Sequence, residues 1–423
     1  MRVIVIGAGL AGTSTAWYLS QGGASVTVLD RAPGAAMETS FANAGMLTPS
    51  MADPWNAPGT FWHLLRWIGR EEAPMLLRPR ALPGLAGWGI HFLRQSRPRQ
   101  FHRNTVKNVR LALFSMSELR RLRDELGIDY DGAASGTLRA CRDQASLDRA
   151  AALAASLAEH GVAYRLLDRD GVVAAEPALG PVAGRIIGGI HYVDDESGDA
   201  HLFTAALAER AAAEGVQFRF GFDVNTLATE RGAVRAVCGR IAGSDETLNT
   251  DAVVLAAGSF TPLLASRVGV RVPVRPVKGY SITAPRGDWH DGPRIPVSDD
   301  HLHTAVTPLG ERIRVAGTAE FAGYDDHLTP RRVDNLLRLL QAIYPAYAER
   351  LDPSVIEPWC GFRPVSSDGV PILGPSSVTG LFLNTGQGPL GWTMAAGCGR
   401  LVADQMLGMN CDLNQEDYAL DRF

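Results

Sequence analysis

The chain has 423 residues, 46% hydrophobic and 20% charged, enough apolar material for two closely packed domains. A formal net charge of −4 carries no electrostatic footprint for nucleic acid and excludes it as a partner. Cys141, Cys238, Cys360, Cys398 and Cys411 are scattered, odd in number and without a C-x-x-C pair, so neither a disulfide framework nor a metal site is expected, and a reducing cytoplasm suits the chain.

The apolar run Val3 to Ile6 predicts a short strand buried on both faces of a parallel sheet. Gly7-Ala8-Gly9-Leu10-Ala11-Gly12 turns it into a helix that runs to about Ser20. This is G-x-G-x-x-G in its structural context: Gly7 permits the tight turn, Gly9 lets backbone approach a pyrophosphate, and Gly12 allows helix to pack closely on strand. A second strand, Ser25 to Leu29, ends at Asp30, whose carboxylate suits a ribose hydroxyl. Strand, glycines, helix, strand and acid within thirty residues predict a dinucleotide site. The glycines also interrupt the opening apolar run, so it does not read as a signal peptide, and no run is apolar for long enough to span a bilayer.

Asp30-Arg31, Glu38-Thr39-Ser40 and Asn43-Ala44-Gly45, followed by Met46, resemble the early FAD-binding loop of the D-amino-acid oxidase superfamily, and most closely its bacterial D-amino-acid dehydrogenase branch of small-subunit type. The resemblance runs along nearly the whole chain. It implies that the helix Ala200 to Ala213 and strand Val216 to Phe222 lead to Val224 as a backbone contact to adenine. The buried strand Ala252 to Ala256 ends in Ala257-Gly258, a second small-residue approach to the cofactor, and Lys278-Gly279-Tyr280 re-enters the substrate region. "GFRP", Gly361 to Pro364, and the last turn, Gly386-Gln387-Gly388-Pro389-Leu390-Gly391-Trp392-Thr393, open onto a final helix.

The fold so implied is α/β plus α+β. Residues 1–51, 192–271 and 353–423 form a Rossmann-like FAD-binding domain, and residues 52–191 and 272–352 an interleaved substrate domain on an antiparallel sheet. Helical patterns at Asn104 to Leu126 and Gln144 to His160, and a hairpin turning at Leu309-Gly310, belong to the second.

Oxidation of an amino acid at Cα needs its carboxylate anchored. Arg363 is the candidate clamp, because a guanidinium matches a carboxylate bidentately and keeps its charge when desolvated; a structural ion pair is the alternative. Gly386, Gly388 and Gly391 precede a helix N-terminus, where N–H groups can stabilise charge on a reduced flavin. Gln387 stands where the resembling branch has histidine, so no general base is assured. His303 is either a substrate-facing side chain or an ordinary sheet histidine, and Tyr280 either a pocket donor or a packing residue. Cys360 lies one residue out of register for the flavin-linked cysteine of sarcosine-oxidase relatives, so FAD is expected to be noncovalent.

The resemblance therefore implies FAD-dependent oxidative deamination of D-amino acids to 2-oxo acids and ammonia, with electrons passed to a quinone or similar carrier. A dehydrogenase of a cyclic secondary or N-methyl amino acid (D-proline, cis-4-hydroxy-D-proline or sarcosine-like) and an oxygen-using amino-acid oxidase stay open, as does a homo- or hetero-oligomer. A flavin monooxygenase or a non-enzymatic FAD-binding protein would not need the arginine. Between Pro54 and Arg99, Trp55, Phe61, Trp62, Trp67, Trp88 and Phe92 alternate with arginines. Such a segment either packs the substrate domain or lies peripherally on the inner face of the cell membrane.

Overall fold

The strand Arg2–Ile6 buries four consecutive residues, as a strand covered on both faces must. In the computed structural model, which describes residues 1–71, 73–289, 291–299, 302 and 304–423, with nothing said of the side chains of Phe61, His63 and Leu65, this strand is central to a six-stranded sheet. Ser25–Asp30 and Ala252–Leu255 flank it in parallel, and Gln217–Phe220 and Leu381–Thr385 continue the parallel order on either side. The edge strand Ile372–Pro375 runs antiparallel.

Strand alternation decides what covers each face. Val3, Val5, Val26 and Val28 pack with Trp17 and Leu19 of the helix Leu10–Gln21, Phe203 of Ala200–Ala213 and Leu401 of Gly391–Leu407. Ile4, Ile6 and Leu29 point the other way, onto Phe222, Leu227 and Val237 of a three-stranded antiparallel sheet. The single strand read over Val216 to Phe222 is two strands: Gly221 takes φ of +72°, ends Gln217–Phe220 and starts Phe222–Glu230 in the other sheet. The helix read from Asn104 starts earlier, at Pro98, whose fixed φ suits a first helical turn.

A second sheet has nine strands among the described residues, ordered Glu357–Ser366, Val274–Pro285, Arg312–Phe321, Thr304–Leu309, Val297–Asp299, Thr137–Cys141, Gly188–Tyr192 and Arg165–Asp168, with Met75–Leu77 added beside Arg312–Phe321. Its pairings are antiparallel except two, Val297–Asp299 on Thr137–Cys141 and Met75–Leu77 on Arg312–Phe321. The strand carrying Arg363 thus hydrogen-bonds into this sheet. One face, through Ile282, Val297, Val306 and Val315, packs on Leu336, Leu340 and Ile343 of the helix Pro330–Ile343. The other face carries small residues, Gly279, Ala305 and Ala316, and turns toward the six-stranded layer. Asp195 sits at the seam, its Oδ2 accepting from Ser50 Oγ at 2.5 Å and Thr137 Oγ1 at 2.6 Å, and burial pushes its carboxyl up to about 7. Trp88 and Phe92 are buried against Phe321 and Val277, so these two aromatics pack inward.

Candidate active site

Between the two layers lies a cavity of about 760 Å³, and its first end is made of backbone. Gly7 holds φ of +110°, and a Cβ there would stand 2.5 Å from Ala256 O; one on Gly12 would stand 1.8 Å from Gly7 O. Loop, helix and strand can therefore meet only as glycines. Gly9 caps the helix without a side-chain bond, and a Cβ on it would meet nothing closer than Ser40 Oγ at 3.2 Å. Ile6, Gly7, Gly9, Leu10 and Ala11 line the cavity, with the positive end of the helix dipole behind them. Gly12 does not line it and serves packing.

Asp30 also lines this end, but its carboxylate does more than await a ribose. Oδ2 accepts from Ala8 N at 2.6 Å and Oδ1 from Ala32 N at 2.8 Å, tying the glycine loop to the end of the second strand, and burial raises its pKa. Arg31 pairs with Glu38 at 2.5 Å and stacks over the Phe260 ring at 4.1 Å. Val224, Ala257 and Gly258 complete the wall.

Residues 39–46 lace the layers together. Leu10 N donates to Ser40 Oγ at 3.1 Å and Thr39 Oγ1 to Phe362 O at 2.8 Å. From the nine-stranded sheet, Ser281 Oγ reaches Ala42 O at 2.6 Å, Arg314 Nη1 reaches Asn43 O at 2.8 Å and Thr307 Oγ1 reaches Ala44 O at 2.8 Å. Thr39, Ser40, Asn43, Ala44 and Met46 line the cavity. Gly45 does not; it turns the loop at φ of +68° with its N–H on Asn43 Oδ1 at 3.0 Å.

Gln387, Gly388, Pro389, Leu390, Gly391 and Trp392 bring the start of the last long helix to the cavity. Gln387 is held by its Nε2 donating to Asn384 Oδ1 at 2.6 Å. Gly386, at φ of +84°, shapes the turn behind it, and Thr393 faces away to accept from Thr48 N at 2.9 Å. Gly361 likewise lies off the cavity, where a Cβ would stand 2.3 Å from the Trp359 ring.

The second end is made of side chains. Arg363 is half-buried in the cavity wall, and desolvation pulls its guanidinium down to about 10. It crosses over Gly279, where a Cβ would stand 2.2 Å from Nη1, and donates to Thr318 O at 3.3 Å beneath the Trp55 ring at 5.5 Å. No carboxylate among the described residues lies within ion-pair reach of it. A desolvated cation without an anion is a site prepared for one.

Tyr280 is not at this end. Its neighbours Gly279 and Ser281 face Arg363 and Ala42, so alternation sends Tyr280 through to the far face, where its hydroxyl donates to Glu320 Oε2 at 2.6 Å. This corrects its candidacy as a pocket donor. Cys360, paired with Tyr280, shares that far face and donates to Asp326 O at 3.2 Å. His303 lies outside the described residues. Sequence reading missed Trp55, Trp67, Met75, Ser298, Asp299 and Thr318, all of which line the cavity.

A model of the family described as DAO, FAD dependent oxidoreductase, matches residues 2–405. The chain belongs to this family. Among curated relatives, a D-amino acid dehydrogenase of Methylobacterium nodulans is 44% identical over 423 residues, covering 100% of this chain and 99% of that relative. One of Paramagnetospirillum magneticum is 43% identical over 426 residues, with the same coverage. The fold is similar to glycine oxidase from Geobacillus kaustophilus, with a TM-score of 0.77 at 20% identity over 100% of this chain and 99% of that one. It is also similar to L-proline dehydrogenase from P. horikoshii, with a TM-score of 0.78 at 18% identity over 100% and 97%. The glycine cradle, the start of the helix Leu10–Gln21 and the carboxylate of Asp30 fit the FAD of this DAO-family oxidoreductase.

Proposed function

We propose that this oxidoreductase is a D-amino acid dehydrogenase, and that the desolvated Arg363, without an ion-pair partner among the described residues and on the wall of the same cavity as the glycine-lined end, carries the assignment. The six-stranded layer holds the cofactor and the nine-stranded layer the substrate. Ile6, Gly7, Gly9 and the helix start receive the pyrophosphate, and Gly388, Gly391 and Trp392 present backbone N–H groups to the far end of the cofactor.

Bound FAD supplies a hydride acceptor for the substrate Cα, yielding an imino acid that hydrolyses to a 2-oxo acid and ammonia. The protein's own part is binding, orientation and exclusion of water. Arg363 fixes the substrate carboxylate with its planar fork, and the Trp55 roof shields that contact from solvent. Gln387, neutral and held by Asn384, offers no proton acceptor, so the substrate amine binds neutral or loses its proton to water. FAD is held noncovalently, which the far-face position of Cys360 supports.

Electrons leave to a quinone or similar carrier. No helix of the described residues is long and apolar enough to cross a membrane; exposed Trp62, Ile68, Leu82 and Ile90 form the surface proposed to rest on anionic lipid. Anaerobic bleaching of the flavin by a panel of D-amino acids tests the reaction, and failure with every one overturns it. Reoxidation by a quinone analogue but slowly by air supports the acceptor; fast peroxide formation overturns it. Flotation with anionic liposomes tests the membrane contact.

A further inference from the structure

On the strand Arg312–Phe321, the ladder with Val274–Pro285 slips by one residue between the pairs Gly279–Ala319 and Tyr280–Gly317. The residue left over is Thr318. Its φ is +60°, a left-handed conformation in which a β-branched side chain is a genuine outlier. Bulges beside binding sites re-aim side chains, and strain kept in place by its surroundings points to a use.

The surroundings do keep it in place. Ala319 N donates to Pro74 O at 2.7 Å, and Arg332 Nη2 donates to Ala319 O at 3.1 Å, so the bulge is gripped from the roof and from behind. The displaced Thr318 carbonyl accepts from Arg363 Nη1 at 3.3 Å. The residue lines the same cavity as Arg363 and is 8% exposed, yet its Oγ1 has no hydrogen-bond partner among the described residues. Buried hydroxyls are normally satisfied. Here the residue whose carbonyl meets a cation with no anion also carries a hydroxyl with an unused donor, and the missing partner of both can be one group.

We propose that Thr318 is a second substrate anchor, its hydroxyl donating to the carboxylate that Arg363 binds. Each carboxylate oxygen has two lone pairs, so the group can take a hydroxyl as well as the guanidinium fork. The proposal rests on the reading of Arg363 as the carboxylate clamp.

The test uses flavin-loaded enzyme, comparing wild type with T318V, T318S and R363A. The readouts are KM and kcat for the D-amino acid that bleaches wild type fastest, Kd for propionate by flavin difference spectra, and melting temperature. T318V keeps the branched shape and removes the donor. It is expected to weaken both ligands about tenfold with kcat nearly unchanged, the scale of one hydrogen bond to a charged group, and T318S restores binding. Because Oγ1 has no partner to lose in the free protein, T318V should melt no lower than wild type, whereas a structural hydroxyl would lower it. Unchanged binding by T318V overturns the proposal, as does a loss confined to the amino acid, which would put the hydroxyl on the amine. A fall in melting temperature and affinity together, not restored in T318S, also overturns it. If R363A binds propionate like wild type, the clamp reading itself falls; if R363A fails to bind while T318V is unaffected, only Thr318 falls.

Discussion

At the glycine end of the cavity the protein presents backbone, because Gly7 and Gly12 sit where any Cβ would strike a carbonyl. At the arginine end it presents side chains, Arg363, Thr318 and Trp55, projecting from strands and a loop that are far apart in the chain. The first kind of recognition is built by geometry that the fold itself requires, so damage to it is close to all-or-none. The second is built on a sheet that stands without it, so damage should be graded and confined to binding. Substitutions at the two ends can break or sharpen this contrast.

The largest effect belongs to Gly12. Gly12→Ala places a methyl into the Gly7 carbonyl, and insoluble or colourless protein is expected on purification. Gly9→Ala separates folding from cofactor binding, since its Cβ meets only Ser40 Oγ at 3.2 Å. That variant should show a folded circular dichroism spectrum with reduced flavin content. A soluble, fully yellow Gly12→Ala variant would remove the contrast at its base.

At the other end, Arg363→Ala should leave a yellow, folded protein. It should lose substrate affinity worth roughly 3–5 kcal/mol, the scale of an uncompensated buried charge, read as KM in flavin bleaching; Arg363→Lys should recover part of it. Stability should move the opposite way. The guanidinium is pulled from 12.5 down to about 10 by burial, so its charge weakens the free fold at all pH below about 10, and the penalty fades as pH rises from there toward 12.5. Arg363→Met should therefore melt higher than wild type at neutral pH, measured without substrate.

The two ends also differ in how far they can be read from sequence. The glycine end is local: strand, turn, helix and acid follow one another within thirty residues, and each glycine's role follows from its position. Arg363 is legible because it stands in a short motif. The rest of its surroundings is not. Ser298 and Asp299 reach the cavity through a parallel pairing with Thr137–Cys141 that no alternation signals, and Trp55 arrives on a loop whose aromatics read equally well as packing. Thr318 contradicts its own propensity, since nothing in "VAGTAE" marks a bulge with a threonine at positive φ. The facing of Tyr280 depends on cross-strand register as well: only the pairing of Val277 with Arg363 puts Gly279 on the arginine's side and Tyr280 on the other.

Asp195 tests the seam between the ends. Its carboxyl is raised from 3.8 to about 7 by burial between Ser50 of the cofactor side and Thr137 of the nine-stranded sheet. The folded state therefore holds a proton that the unfolded state releases. Its contribution is favourable at low pH and declines as pH rises from about 4 to about 7, by up to about 4 kcal/mol. Asp195→Asn should flatten this dependence in denaturant melts, raising stability at pH 8 more than at pH 5. An unchanged slope would mean that the seam is hydrated and its charge tolerated.

The smallest effect is expected at Cys360, which makes it the sharpest control on the arginine end. It lies between Trp359 and Gly361 in sequence, three residues before the clamp, and a covalent link to flavin from this strand would require its sulfur to reach the cavity face. Its pairing with Tyr280 puts it on the far face instead, where Sγ donates to Asp326 O at 3.2 Å and burial raises the thiol above its ordinary value. A thiol so placed is a poor nucleophile, because the thiolate is the reactive form. Cys360→Ser should then retain full flavin content, and acid precipitation should release the flavin equally from both proteins, with KM unchanged. Flavin that stays with the wild-type precipitate but leaves with Cys360→Ser would place the sulfur at the cavity and reverse the strand's facing, and with it the parity that sets Arg363 over the substrate.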